Sequence, residues 1–259
     1  MDASIRKKAK PLLTPVSIFH YIRLVYRSLL FVVSLAVYVY ERLKQGKLFD
    51  FNQLFIVRVI WVLYVIEMLM RFFPTRLESP GCQKQFKRNY IKTGSTQIKV
   101  SDNNATMLVA LIWICLNAIF GALYMSGLFD DGIMILLCCA YSVCDMICIL
   151  FFCPFQSWFL KNKCCSACRI YNWDYAMMFT PLFFVRNPYS WSLLAMAVLL
   201  MVRWEITFYL HPERFSEETN AYLKCSNCTE KLCTHKKQLN RLWKQISEFT
   251  ANRTRMLRK

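Results

Sequence analysis

Long apolar blocks alternate with polar, basic stretches along this 259-residue chain. The first four blocks each contain about 20 or more residues, which cross ~30 Å of hydrocarbon as an α-helix at about 1.5 Å per residue. A fifth block is short and contains Pro181, so it could instead be re-entrant or interfacial. The turn-favouring sequence Arg186-Asn187-Pro188 separates it from a sixth, full-length block. The predicted spans are residues 18–40, 51–73, 105–129, 132–155, 173–187 and 189–210.

The composition agrees with an all-α integral membrane protein of about six transmembrane helices. Hydrophobic residues make up 56% of the chain and charged residues 19%, against about 45–50% and about 25% in soluble domains. The pattern predicts a basic N-terminus (1–17), a membrane domain (18–210) with a cysteine-rich loop (156–172), and a basic cysteine-containing tail (211–259). We expect no cleavable signal, because the first apolar run contains two arginines and lacks a small-residue cleavage site.

The distribution of basic residues predicts the orientation of the chain. Lys and Arg cluster before the first span, between the second and third, after the fourth, and in the tail, whereas the third-to-fourth loop has Asp130 and Asp131 and no basic residue. The first-to-second loop, with three basic residues, is a partial exception. Basic loops remain cytoplasmic. Six spans therefore put both termini and the Cys-rich appendage in the cytoplasm, whereas five would strand the basic tail outside. We expect a bacterial plasma membrane.

The net charge of +17 arises from 33 Lys and Arg against 16 Asp and Glu. Nucleic-acid binding is one interpretation of such a charge, but no DNA or RNA recognition motif accompanies it. Beside so many apolar spans, contact with anionic lipid headgroups at the cytoplasmic face explains it better. The expected partner is the lipid bilayer, and we expect no nucleic acid.

Two C-x-x-C pairs are the sharpest chemical signal among the thirteen cysteines. Cys165 and Cys168 follow the fourth span in LKNKCCSACRIYNWD, and Cys225 and Cys228 lie in the tail in LKCSNCTEKLCTHKKQL. Two thiolates on a tight turn can share one metal ion at about 2.3 Å from each sulfur. With two spans between them, both pairs return to the same face. The sequence thus predicts a metal site of Cys165, Cys168, Cys225 and Cys228.

The cysteine pattern suits two kinds of metal centre, a zinc site and an iron–sulfur cluster. Zinc is the first choice because structural thiolate sites are closed and tetrahedral, and an iron–sulfur cluster is the competitor, with Cys164, Cys233 and His235 as additional ligands. Reduced or redox-active thiols, or S-acylation of juxtamembrane cysteines, would leave no cofactor. The six cysteines within or beside apolar runs are expected to act as small hydrophobic residues; these are Cys115, Cys138, Cys139, Cys144, Cys148 and Cys153.

Ionisable residues inside apolar spans are costly and therefore mark candidate functional sites. The predicted intramembrane polar cluster consists of Glu67, Asp145, Arg203 and Glu205. Matched depth predicts an Asp145–Arg203 ion pair, and helical spacing puts Tyr141, Asp145 and Cys148 on one inward face. This cluster is either a polar pocket or ion path, or a pair that only fixes helix packing.

Arg23 and Arg27 of the first span are expected to extend towards the inner boundary of the membrane. In the tail, residues 236–256 form a basic stretch with apolar residues at helical spacing, which predicts an amphipathic helix on the inner leaflet.

Known catalytic motifs are absent from the sequence. Three functions therefore remain: a membrane protein with a structural or redox metal site, a small transporter or channel, and a membrane-bound enzyme of unrecognised type.

Overall fold

The chain folds as a helical bundle, as predicted. The computed structural model describes residues 15–45, 55–73, 84–100, 103–160, 168–224 and 227. Within these ranges no strand forms, apart from one antiparallel bridge between Lys92 and Asn220. The long helices are α1 (Pro15–Gln45), α2 (Phe55–Phe72), α3 (Asn103–Met125), α4 (Asp131–Leu150) and α6 (Pro188–Leu210).

Four helices in the described part of the chain are long and apolar enough to cross a membrane. They cover Val16–Lys44, Asn103–Met125, Asp131–Leu150 and Pro188–Leu210. Helix α2 is shorter, with 18 residues, and it carries three charged side chains. Large apolar side chains cover the outer surfaces, as on α1, where Val25, Leu29 and Val32 are each 59% exposed. Such a surface suits acyl chains better than water.

After α4 comes a short π-helix (Phe155–Leu160), and the residues shortly before α6 form three further short helical pieces. A 3₁₀ turn (Arg169–Trp173) leads into helix α5 (Asp174–Phe179), and a second 3₁₀ turn (Thr180–Phe183) follows, with Pro181 near its start. Because 3₁₀ structure rises about 2.0 Å per residue against about 1.5 Å in an α-helix, these residues extend over roughly 27 Å if collinear. An uninterrupted α-helix of the same length would reach only about 22 Å.

Side-chain contacts give the directions of the long helices. Helices α1 and α4 are antiparallel, since Arg27 Nη1 donates to the Ser142 carbonyl at 3.0 Å and Tyr38 donates to Asp130, the N-cap of α4, at 2.9 Å. Helices α2 and α6 are parallel. Near their starts Trp61 Nε1 donates to Ser192 Oγ at 2.8 Å, and near their ends the Arg203 guanidinium donates to the Phe72 carbonyl.

The three-piece segment returns the chain along the bundle to the start of α6. At one end Arg169 contacts Glu205 and Tyr209, in the last turns of α6. At the other end the Phe184 ring lies 6.5 Å from the ring of Tyr124, in the last turn of α3. The segment therefore runs between the two ends of the bundle, antiparallel to α6.

One end of the bundle is closed by two segments that we call the cap, residues 84–100 and 211–224. Ala221 N donates to the Ile91 carbonyl at 2.8 Å, and Thr93 N donates to the Thr219 carbonyl at 3.0 Å. The buried Asn220 side chain donates to the carbonyl of Lys84 at 3.0 Å. The chain after α2 and the chain after α6 thus meet at the end of the bundle from which α1 starts. The tail beyond residue 227, including the predicted 236–256 helix, lies outside the described residues.

Candidate functional site

The interior of the bundle holds a buried ion-pair centre around Arg27 of α1. The Arg27 side chain is 1% exposed and pairs with Glu67 of α2 and, at 3.2 Å, with Asp145 of α4. The Tyr175 hydroxyl of α5 donates to Glu67 at 2.9 Å. Arg27 also donates to the Ser142 carbonyl. Helices α1, α2 and α4 therefore meet at one guanidinium, whose several donors suit more than one carboxylate, and α5 joins them through Glu67.

A second buried pair adjoins this centre. Arg71 follows Glu67 by one helical turn on α2, and its side chain, 2% exposed, pairs with Asp174 at the start of α5. The Arg71 guanidinium lies 5.3 Å from the ring of Tyr175, the residue that bonds Glu67, and 5.2 Å from the ring of Tyr171. Cation–π contact at such distances supplements the ion pair.

The predicted Asp145–Arg203 ion pair is wrong. Asp145 pairs with Arg27 instead, and Arg203 is exposed on α6 with its guanidinium on the Phe72 carbonyl. Depth alone suggested the pair, but the two side chains lie on helix faces that do not meet. The expectation that Arg27 reaches back to the membrane boundary is also wrong, because its side chain points into the bundle.

Glu205, the fourth predicted residue, belongs to a separate centre near the cap. Arg169 Nε lies 3.1 Å from each Glu205 carboxylate oxygen, and Trp173 Nε1 donates to the same carboxylate at 2.6 Å. Arg169 Nη1 donates to Asn103 Oδ1 at 2.7 Å, which fixes the start of α3. The guanidinium stands 4.5 Å from the Phe208 ring. This centre ties three segments together where the bundle meets the cap.

The sequence carried a signal for the role of Arg27. The buried positions of α1 include Ser17, His20, Arg23, Arg27 and Ser34, which recur at intervals of three, four or seven residues. Such spacing places them on one face of the helix. A polar face on an otherwise apolar span indicates burial against polar partners inside a bundle.

A cavity of about 290 Å³ opens beside Asp145. The three residues predicted to share a face of α4, Tyr141, Asp145 and Cys148, all line it, and Asp174 lies on its wall as well. The remaining lining is chiefly apolar and aromatic and comes from α3, α4, the chain after α4, and the 168–178 segment: Trp113, Cys144, Ile149, Cys153, Pro154, Phe155, Gln156, Cys168, Ile170, Tyr171, Met177 and Met178.

Of the predicted thiolate ligands, the structure describes only Cys168, which is buried and lines the cavity. Cys164, Cys165, Cys225, Cys228, Cys233 and His235 lie outside the described residues. Within the described part of the chain, no three His, Cys, Asp or Glu side chains are grouped so that they could hold a metal ion.

The chain segments next to the two C-x-x-C pairs nevertheless contact the same loop. Asn172, four residues after Cys168, donates to Gln85 Oε1 at 2.9 Å. Asn220 donates to the carbonyl of Lys84, and the Lys84 ammonium lies 5.8 Å from the ring of Tyr222. Two neighbouring residues after α2 therefore join the 168–172 and 220–224 segments.

Comparison with known proteins gives no guide to these features. No protein-family model, curated protein or solved structure matches the chain.

Proposed function

We propose that the protein spans a membrane six times, with the cap and both termini in the cytoplasm. The proposal is supported by the course of the segment from Arg169 to Phe184, which runs from the cap to the opposite end of the bundle. It is also supported by charge, because the cap carries many Lys and Arg side chains while Asp130 and Asp131 mark the opposite turn. Basic loops are retained on the cytoplasmic side.

At the cap, Cys165, Cys168, Cys225 and Cys228 bind one metal ion that fastens the tail to the loop after α4. The single observation that carries this proposal is the pair of contacts from Asn172 to Gln85 and from Asn220 to Lys84. Lys224 directly precedes Cys225, and neighbouring Cα atoms are about 3.8 Å apart. These contacts support the proposal because they join residues near each cysteine pair to one loop.

Zinc is the metal of choice, in a structural role. Four thiolates give the closed tetrahedral site that zinc prefers, and such a site contributes directly to folding. An iron–sulfur cluster would use the same cysteines, with Cys164, Cys233 and His235 in reserve, and would add a redox role.

Elemental analysis and an absorption spectrum of the full chain, purified without chelators and without oxygen, test the metal site. We expect about one zinc ion per chain and no visible band. A brown protein that contains iron and sulfide would show that the site holds an iron–sulfur cluster instead of zinc. Cys165→Ser and Cys228→Ser should each lose the metal, whereas Cys115→Ser, at an exposed site on α3, should keep it. Metal-free wild-type protein, or unchanged metal content in both test variants, overturns the proposal.

A second candidate function is a small transporter or channel that uses the intramembrane polar site. The cavity favours it, because it reaches Asp145 in the interior of the bundle. Charged groups buried among apolar helices mark substrate and ion pathways in many membrane proteins. The metal site would then hold the tail in place without taking part in transport.

A further inference from the structure

One oxygen of Asp145 is available inside the cavity. Among the described residues, Arg27 is the sole hydrogen-bond donor to Asp145, and it uses Oδ2. The Asp145 side chain is 16% exposed and lines the cavity. Oδ1 is therefore an acceptor without a donor among the described residues, on a side chain that borders space large enough for a ligand.

Two carboxylates line the cavity, those of Asp145 and Asp174. Each pairs with a guanidinium, Asp145 with Arg27 and Asp174 with Arg71. A carboxylate has two acceptor oxygens, so it can accept from a guanidinium and from a ligand at the same time. An ammonium group in the cavity would therefore form a charge-assisted hydrogen bond with such a carboxylate.

The walls of the cavity suit an organic cation better than a bare ion. Trp113 packs against Tyr141 and Phe155, with ring centroids 4.7 and 6.3 Å apart, and all three line the cavity beside Asp145. Aromatic rings attract ammonium groups, and the apolar surface would accommodate an alkyl or aryl body. A metal ion would need more oxygen or sulfur ligands in one place than the described residues supply.

We propose that this cavity binds a small protonated amine, whose ammonium group bonds to Asp145 Oδ1 and whose apolar body lies against the Trp113, Tyr141 and Phe155 side chains. The volume of about 290 Å³ is near the lower limit of small-molecule pockets, about 300 Å³. The proposal rests on the second candidate function, since it names the class of ligand that the polar site would accept. It does not depend on the metal site.

Equilibrium binding of radiolabelled hexylammonium to the full chain in lipid nanodiscs tests the proposal, with empty nanodiscs as background. We expect saturable binding that Asp145→Asn weakens by about 10- to 100-fold, the value of a hydrogen bond to a charged group. Arg27 keeps Glu67 as a partner in this variant, so the fold is expected to persist. Glu213→Gln, which alters a partly exposed pair at the cap, should bind as wild type does.

Competition by 1-hexanol on the wild-type protein decides the proposal without any variant. The alcohol has the same apolar body and no charge, so it should compete at least about 10-fold less well. Equal competition would mean that an apolar, lipid-like occupant fills the cavity, which overturns the proposal. Absence of saturable binding, or unchanged affinity in Asp145→Asn, overturns it too. If hexylammonium binds but is not transported into proteoliposomes, the transporter function is excluded and the ligand site remains.

Discussion

Replacement of Arg27 by leucine removes the cation that joins α1, α2 and α4. The variant leaves Glu67 and Asp145 inside the bundle without their guanidinium partner, and the Ser142 carbonyl loses a donor. Leucine fills part of the space but satisfies none of these oxygens. The expected outcome is a large loss of stability, because a buried carboxylate that has lost its cationic partner is far costlier than one in water.

The size of the stability loss in Arg27→Leu follows from the burial of the ion pair. The Arg27 side chain is 1% exposed and Glu67 6%, so their pair falls in the class whose disruption costs about 3–5 kcal/mol. Arg42 on the same helix pairs with Asp130 at 3.3 Å, but their side chains are 40% and 33% exposed. Exposed pairs contribute about 0–1 kcal/mol. Arg42→Leu is therefore the matched control, with the same substitution on the same helix.

Thermal unfolding in detergent, followed with a thiol-reactive fluorophore, measures the difference in stability between Arg27→Leu and Arg42→Leu. Cys138 and Cys139 are 3% and 1% exposed, so they should react when the bundle opens. At about 2–4 °C per kcal/mol, Arg27→Leu should lower the melting temperature by roughly 10 °C and Arg42→Leu by a few degrees at most. Equal shifts in the two variants, or none in Arg27→Leu, would refute the assignment of Arg27 as a buried centre. Adding Glu67→Gln to Arg27→Leu should recover part of the loss.

Two further predictions concern packing and orientation. A Cβ at Gly121 would lie 2.7 Å from Phe184 Cε2 and closer to two other ring carbons, so Gly121→Ala should destabilise the protein by about 1–3 kcal/mol. The control is Gly94→Ala, which has no neighbour within 4 Å of the added Cβ and should have little effect. Equal melting temperatures of the two variants would contradict the close contact between Gly121 and Phe184. The orientation is tested by labelling with a membrane-impermeant maleimide at two exposed positions, Leu128→Cys and Ile98→Cys, with detection by mass spectrometry. Leu128→Cys should be labelled in intact cells and Ile98→Cys only after permeabilisation. The reverse pattern would show that the chain has the opposite orientation in the membrane.

The apolar pattern predicted the starts of α4 and α6 well because these starts are set by local sequence. Helix α6 begins at Pro188 after an Asn187 N-cap, and helix α4 begins after an Asp130 N-cap. The predicted starts at 189 and 132 differ from the observed ones by one residue. Proline at the first helical position and Asp or Asn as caps give a start signal that needs no tertiary information.

The partners of the buried charges could not be predicted from the depth of each residue in the membrane. Two residues at equal depth meet only when their helices are neighbours and their faces point at each other, and the packing of α1 against α4 is a tertiary choice. Arg169, Asp174 and Arg71 were missed for a related reason, since each lies at the end of an apolar run, where a charge ordinarily marks the boundary. The i, i+4 spacing of Glu67 and Arg71 was the available signal.

The position of Arg27 has a consequence for biogenesis. The ribosome produces Arg27 40 residues before Glu67 and 118 residues before Asp145, so α1 emerges before either carboxylate exists. An arginine near the centre of an inserting helix costs about 2.5–3.5 kcal/mol on translocon scales, and a shallow position with the guanidinium near the headgroups lowers that cost. We therefore expect α1 to reach its final depth only after α2 and α4 have been inserted and supply the two carboxylates. The order of synthesis and the order of packing would then differ, because the first helix to be made has to wait for its partners.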